Sequence, residues 1–522
     1  MGYRGQEVRF NDFSGGLVTN RPITELTNNE FSDLDNVVVF TKGRGFRSRY
    51  GDTEFNSTAM DSGGSIHGLG YYKKADLNDY LLAVVGAKLF RSNTALVGTM
   101  TDITGAITIT TGQDKIWDIF TFNDNAIGFG GDVTSPNAPW TWTGAGNAAA
   151  LAGTPPSAYG AFQANNRVFA FRTNANPSRI QWSILGNAAD WTGTGSGSSD
   201  VWTSDNDKMT AAAIMNTNTV LLFKQNSVHQ MQIGNLVSNA FPIFPLFSDA
   251  GCVGKHACVV ADGLCYFITP QGNMKITDGA KIYDEAEVPQ LSQIDDLWAN
   301  VNPSRLEFIQ GIRRTGTDYD YILWGVSYGA AQTTNNVVFI WDLINKCWLR
   351  NTTGYDANVF AKTQIGDLYG GHYNGKIYKK DSSTVTYTDA SESSAVVDAY
   401  VTSGWINNDR FEIIKQPRKM NVSFGTSATG DMRISYGFDF SGFIENPVID
   451  QGASSAFFDS GDLFDNDELF SGLGFDMKPV RIVGRGNFFQ YRIRSPIASS
   501  PLKINGFTLS GKEYGQKEIA AR

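Results

Sequence analysis

Histidine and cysteine are scarce in this chain, four of each in 522 residues. So few cysteines cannot build a disulfide framework, which points to folding in a reducing compartment such as a cytoplasm. His67, His229, His256 and His372 have no serine or cysteine beside them in a nucleophile setting, so each reads as structural or surface histidine. Charged residues make up 18% and aromatics 12%, the reverse of the balance that keeps a chain disordered. No run of about 18 apolar residues occurs, so no membrane span is expected. Met1-Gly2-Tyr3-Arg4-Gly5-Gln6 carries no apolar run, and no signal peptide is expected. A formal charge of −9 disfavours static binding to nucleic acid, where affinity comes from cations that replace counterions on phosphates.

What the chain has is glycine, 55 residues of it, and a hairpin that recurs. An apolar strand, Tyr80-Leu81-Leu82-Ala83-Val84-Val85, turns at Gly86 and returns as Lys88-Leu89-Phe90. With Leu82, Ile127, Phe169, Leu221, Tyr266, Leu323 and Tyr369 as anchors, the intervals are 45, 42, 52, 45, 57 and 46 residues. A period of that size with several strands per unit predicts a β-propeller. A single blade cannot bury both of its faces, so only a closed ring makes a core. The expectation is an all-β chain with a propeller of six or seven blades. Asp262-Gly263 and Asn374-Gly375 are expected as tight type I′ turns. Val337-Val338-Phe339-Ile340-Trp341-Asp342, followed by Cys347-Trp348, resembles the outer hairpin of kelch-type blades. There the Asp bonds turn amides and the second Trp packs between sheets.

Three regions follow. Residues 1–60 read as an N-terminal arm or platform segment, 61–390 as the propeller, and 391–522 as a second antiparallel β-sandwich region. In the last, Met420-Asn421-Val422-Ser423-Phe424 and Gln490-Tyr491-Arg492-Ile493-Arg494 alternate in period two. A long loop at 444–476 holds eight acidic residues and no Lys or Arg, whereas 478–522 carry a balance of +7. Phe457, Phe458, Asp459, Asp462, Phe464, Asp465, Asp467, Glu468 and Phe470 make this loop a candidate assembly contact or gate. Lys42, Arg44, Arg47 and Arg49, with Arg492 and Arg494, form a candidate basic interface. Four like charges in eight residues repel unless something neutralises them.

Catalytic chemistry is hard to find. Cys252, Cys258 and Cys265 have no zinc-site spacing, and the acids of the loop lack the ligand order of an EF-hand. No glycine-rich phosphate loop joins a strand to a helix. No catalytic residue, metal or cofactor is expected.

Phe13-Ser14-Gly15-Gly16-Leu17, then Pro22, Leu26, Glu30, Leu34, Asn36-Val37-Val38 and Arg47-Ser48-Arg49-Tyr50-Gly51, resembles the N-terminal signature of virion tail proteins of tailed bacteriophages. The segments 166–171, 219–231, 257–276 and 337–348, with the ending 486–509, resemble the tail hub or nozzle of short-tailed phages. That family is also described as packaged-DNA stabilisation proteins. The resemblance implies a six-membered homo-oligomeric ring below the portal and its adaptor, assembled in the bacterial host cytoplasm and carried in the virion. Such a ring continues the DNA channel, retains DNA until ejection, and anchors fibres, spikes or a needle. An acidic surface suits transient passage of double-stranded DNA, because it avoids phosphate contacts. Propellers also host carbohydrate-binding and carbohydrate-cleaving proteins, and the residues alone leave that alternative open.

Overall fold

The computed structural model describes residues 6–514, apart from 41–42, 133, 235–239, 284, 317–318, 384–386, 408–412, 425–430, 446–448, 451–476 and 496–501. Among the described residues the middle of the chain forms seven consecutive four-stranded antiparallel units, and the fold is an all-β propeller. The blades cover 66–102, 117–150, 158–200, 209–247, 258–283, 310–351 and 357–383. The seventh has three strands of its own and takes its fourth from Gly51–Glu54, through Tyr378↔Glu54, Lys379↔Thr53 and Ser383↔Gly51. An early strand thus latches the ring shut.

Each sequence anchor lies on the second strand of a blade, from Leu82 on Asp79–Val85 to Tyr369 on Leu368–His372. These strands are covered on both faces by neighbouring blades, so they read as continuous apolar runs. The first strands of successive blades are neighbours around the ring, and Ala357–Lys362 returns beside Ile66–Lys73. Blades 1 and 2 approach so closely that Gly68 bridges Trp117 in parallel. A Cβ on Gly68 would stand 2.8 Å from that of Trp117, and one on Gly70 would stand 2.5 Å from that of Ile119. Glycine is what lets these two strands touch.

Asp262-Gly263 has both φ angles positive, 51° and 79°, as a type I′ turn requires. Asn374-Gly375 does not: of the two, Gly375 alone has positive φ. His372 N–H bonds Lys376 O across a longer connection. In blade 6, Asp342 Oδ1 accepts the N–H groups of Ile344 (2.8 Å) and Asn345 (2.9 Å). Trp348 packs 5.2 Å from Trp341 and donates to Gln290 O at 3.0 Å.

Among the described residues most of the remaining strands make two further sheets, drawn from both the N-terminal and C-terminal parts of the chain, while Thr388–Asp389 and Ala395–Val396 pair as a separate ribbon. One sheet contains Gln6–Phe10, Val37–Val39, Phe46–Ser48, Ile414–Phe424, Met477–Arg481 and Lys503–Tyr514. The other contains Gly16–Leu17, Glu30–Asp35, Ala399–Ser403, Asp431–Phe438, Ile444–Glu445, Ile449–Asp450 and Phe489–Ser495. Phe10, Phe13, Phe31, Phe46, Tyr491 and Phe507 interlock in a shared core. The strands that lie between residues 6 and 48 are therefore part of the sandwich rather than a separate arm. The propeller is inserted between the N-terminal and C-terminal strands of the sandwich, and 51–54 belongs to the propeller. Alternation marks each strand as half-buried, but it carries no information about which distant strand pairs with it.

The sandwich docks on the outer strand of blade 6, Cys347–Asn351. Gly16, at φ 62°, lies where a Cβ would be 2.6 Å from Trp348 O. Arg350 reaches Asp33 at 2.8 Å, and Asp35 accepts the Thr352 N–H at 2.9 Å.

Candidate functional site

Side-chain contacts cross between blades of the propeller that are not neighbours in the ring. The 251–257 loop between blades 4 and 5 sends Lys255 across to donate to Ile116 O (2.8 Å) and Tyr159 O (3.1 Å). Its Nζ lies 3.3 Å from Asp118 Oδ2 and 4.9 Å over the Tyr159 ring, and its side chain is 4% exposed. Blades 2 and 5 are as far apart as a seven-membered ring allows, so this contact spans the centre. Asp118 also accepts the Ala161 N–H at 3.1 Å and meets His256 Nε2 at 2.7 Å. The other ring nitrogen of His256 faces Gln310 Oε1 at 2.8 Å. Burial works against the Asp118 carboxylate, yet Lys255 and His256 hold it below the usual range. Burial likewise lowers Lys255, with Asp118 opposing.

Further ties surround this one. Arg172 pairs with Glu307 at 3.1 Å and lies 4.4 Å over Tyr159. Arg305 reaches Asp114 at 2.7 Å, and Asn358 donates to Gln113 O at 2.8 Å. Both nitrogens of His256 are engaged, so the Asp118–His256 pair serves as a brace. Cys258 beside it is a thiol pushed up by its contact with Cys252 and by burial, so it is not an activated nucleophile. All four cysteines are free. No metal-ligating cluster occurs among the described residues.

The expected basic residues separate. Arg44 is exposed, and Arg47 stacks 4.2 Å over Tyr50. Arg49 departs from the expected interface: its side chain is 1% exposed and forks onto Asp389. It also donates to Asn36 Oδ1 (2.9 Å) and Thr353 O (2.8 Å). Like charge along the hairpin is relieved here by burying one member with a carboxylate. Arg492 and Arg494 do share one face of the second sandwich sheet. Arg494 forks onto Asp398 at 2.7 and 2.6 Å, opposite exposed Arg433 on the next strand. Arg492 bonds Thr402 Oγ1 at 2.9 Å and lies 3.7 Å from Asp33. Phe457, Phe458, Asp459, Asp462, Phe464, Asp465, Asp467, Glu468 and Phe470 lie outside the described residues, as does Lys42. The acidic stretch begins inside them, where Ile444–Glu445 pairs with the Asp431–Phe438 strand.

Sequence reasoning missed both buried charge clusters. Lys255 stands between Gly254 and His256, and a Cβ on Gly254 would be 2.1 Å from Glu307 O. That glycine is the local trace of the bridge. At the joint below blade 7, Lys380 donates to Asp52 (3.0 Å) and Gly354 O (2.6 Å) and meets His372 Nε2 at 2.6 Å. Burial, then Lys380, keeps His372 neutral, well below its ordinary value.

No protein-family profile matches the chain, and comparison with curated proteins gives no match. Among solved structures it is similar to a streptogramin B lyase, at 12% identity and TM-score 0.39, covering 63% of this chain and 97% of that one. It is similar to the WD40 β-propeller domain of Doa1, at 10% identity and TM-score 0.38, covering 64% and 98%. A third similarity is to YCF48 bound to D1 peptide, at 9% identity and TM-score 0.39, covering 64% and 98%. The seven-bladed architecture described above rests on the strand pairing of this chain.

Proposed function

We propose that this chain is a structural protein of a bacteriophage virion, a tail nozzle or hub subunit. It forms a ring with copies of itself below the portal-adaptor, continues the DNA path, retains packaged DNA, and anchors fibres, spikes or a needle. The observation that carries this reading is the braced core. Strands from the N-terminal and C-terminal parts of the chain are woven into one sandwich, and the sandwich is locked to a propeller crossed by buried ion pairs. Such a body is suited to bearing load. In this reading the duct lies between subunits, with the acidic surface turned toward DNA. The resemblance of the N-terminal and blade segments to tail proteins supports the same assignment.

Negative-stain imaging and native mass spectrometry of the purified protein, alone and with its portal-adaptor, test it. Closed rings, or incorporation into an adaptor complex, are expected. A particle that stays single at every concentration and ignores the adaptor would overturn the reading.

A further inference from the structure

Blade 4 carries a cavity of about 580 Å³ on its rim, between the 201–208 loop and the outer strands Val228–Gln232 and Ile243–Phe247. That volume lies in the range of small-molecule sites. We propose that it binds a neutral saccharide, with Trp202 as the stacking platform and Asp205, Asp207 and Asn226 as partners for sugar hydroxyls.

Trp202 is 48% exposed, whereas Trp117, Trp140, Trp142, Trp182, Trp324, Trp341 and Trp348 are fully buried. Its backbone is left-handed, at φ 46° and ψ 77°, a costly state for a bulky residue. Lys224 holds it there. With its side chain 0% exposed, Lys224 pairs with Asp205 and donates to Val201 O (3.1 Å) and Trp202 O (2.8 Å). His229 props the indole from below, with ring centroids 5.7 Å apart at 66°. A strained, exposed indole on a buried ionic anchor is a surface built in advance of its ligand.

The chemistry of the wall selects the class. Among the described residues no exposed cation lines the cavity, and burial, then Lys224, keeps His229 neutral, so anions are disfavoured. The Asp205 charge is matched by Lys224, which weakens the case for a bare ammonium. Asp207 Oδ2 is fixed by the Asn226 N–H at 2.8 Å. The Asn226 amide and the Ser204 and Ser248 hydroxyls add donors beside carboxylate acceptors. A mixed rim around one aromatic face matches a pyranose, which has an apolar C–H face and hydroxyls at its edge.

Saturation-transfer NMR on the full chain tests this, with the methyl glycosides of glucose, galactose, mannose and N-acetylglucosamine as probes. Transfer to the ring C–H protons of at least one probe is expected, weakened about tenfold or more in Trp202→Ala and partly kept in Trp202→Tyr. Ser248→Arg, which fills the cavity from the opposite wall, is expected to abolish it and covers the case in which Trp202→Ala fails to fold. No transfer from any of the four probes overturns the proposal, as does transfer unchanged by these variants. Trp202-dependent binding of tetramethylammonium instead would reassign the cavity to a cation. Ring assembly is expected to be unaffected by Trp202→Ala, so the assembly reading and this one fail separately.

Discussion

Arg49 and Asp389, 340 residues apart, form a buried fork in which Arg49 Nη1 donates to Asp389 Oδ1 at 2.8 Å and Nη2 to Oδ2. Arg49 also bonds Asn36 of the sandwich and Thr353 after blade 6, while Asp389 accepts the Asp52 N–H at 3.2 Å. One ion pair therefore ties the sandwich, the latch strand and the segment after blade 7. Removing either partner leaves an uncompensated buried charge, which costs about 3–5 kcal/mol. Arg49→Ala and Asp389→Ala are each expected to lower the urea midpoint strongly, and the double variant by less than the two losses added. Strict additivity in the denaturation curves would show that the two side chains do not act as a pair.

Near this joint, burial, reinforced by Glu392, raises the Asp356 carboxyl from 3.8 to about 7, and Lys380 only partly opposes it. The folded chain keeps a proton on Asp356 between about pH 4 and 7, where the unfolded chain has released it. Stability from this group is therefore present at acid pH and lost as pH rises through that window. Burial raises Asp35 in the same direction, to about 6. Asp356→Asn is expected to flatten the fall in melting temperature between pH 4.5 and 8 and to gain on the order of 2 kcal/mol at pH 8. A wild-type melting temperature that rises across this interval, with no difference in the variant, would contradict the assignment.

The bridge across the axis yields a third expectation. Lys255→Met removes the ammonium that offsets the burial of Asp118, and a loss of about 2–4 kcal/mol is expected. Adding Asp118→Asn should recover part of it, because the amide carries no charge to strand. Thermal unfolding of the two variants decides this. A double variant less stable than Lys255→Met would mean that hydrogen bonding at Asp118, rather than its charge, sets the cost.

The propeller was legible because its second strands are apolar on both faces, as Leu81-Leu82-Ala83-Val84-Val85 and Val220-Leu221-Leu222-Phe223 show. The blade number was not, because the outer strands carry little signal. Thr101–Asp102 and Ala149–Ala150 are two-residue strands exposed to solvent, and blade 7 borrows its outer strand from residues 51–54. The sandwich showed as alternation, but the partnership between Val8 and Leu509 joins residues almost a whole chain apart. Arg49 looked like its exposed neighbour Arg44, since nothing local reveals that Asp389 awaits it. Trp202 was invisible for the opposite reason: ten other tryptophans surround it in the sequence, and only the fold tells which one stays outside.

Arg433 and Arg494 face each other across adjacent strands, and Asp398 neutralises only the second. Like charges directly opposite destabilise a sheet unless a counter-charge is near, so an external carboxylate at Arg433 is worth more than a rim charge elsewhere. In the proposed ring the acidic 444–476 segment of a neighbouring copy supplies it. Reversing Arg494 would also break the fork to Asp398 and blur the readout, so Arg433→Glu is the cleaner probe. It is expected to leave the melting temperature within about 1 kcal/mol equivalent of the parent, while shifting native mass spectra from rings to single chains. Salt should mimic it, with rings dissociating as ionic strength rises toward 1 M and screening shortens to about 3 Å. Rings that persist in Arg433→Glu and in high salt would place the subunit contact on another face.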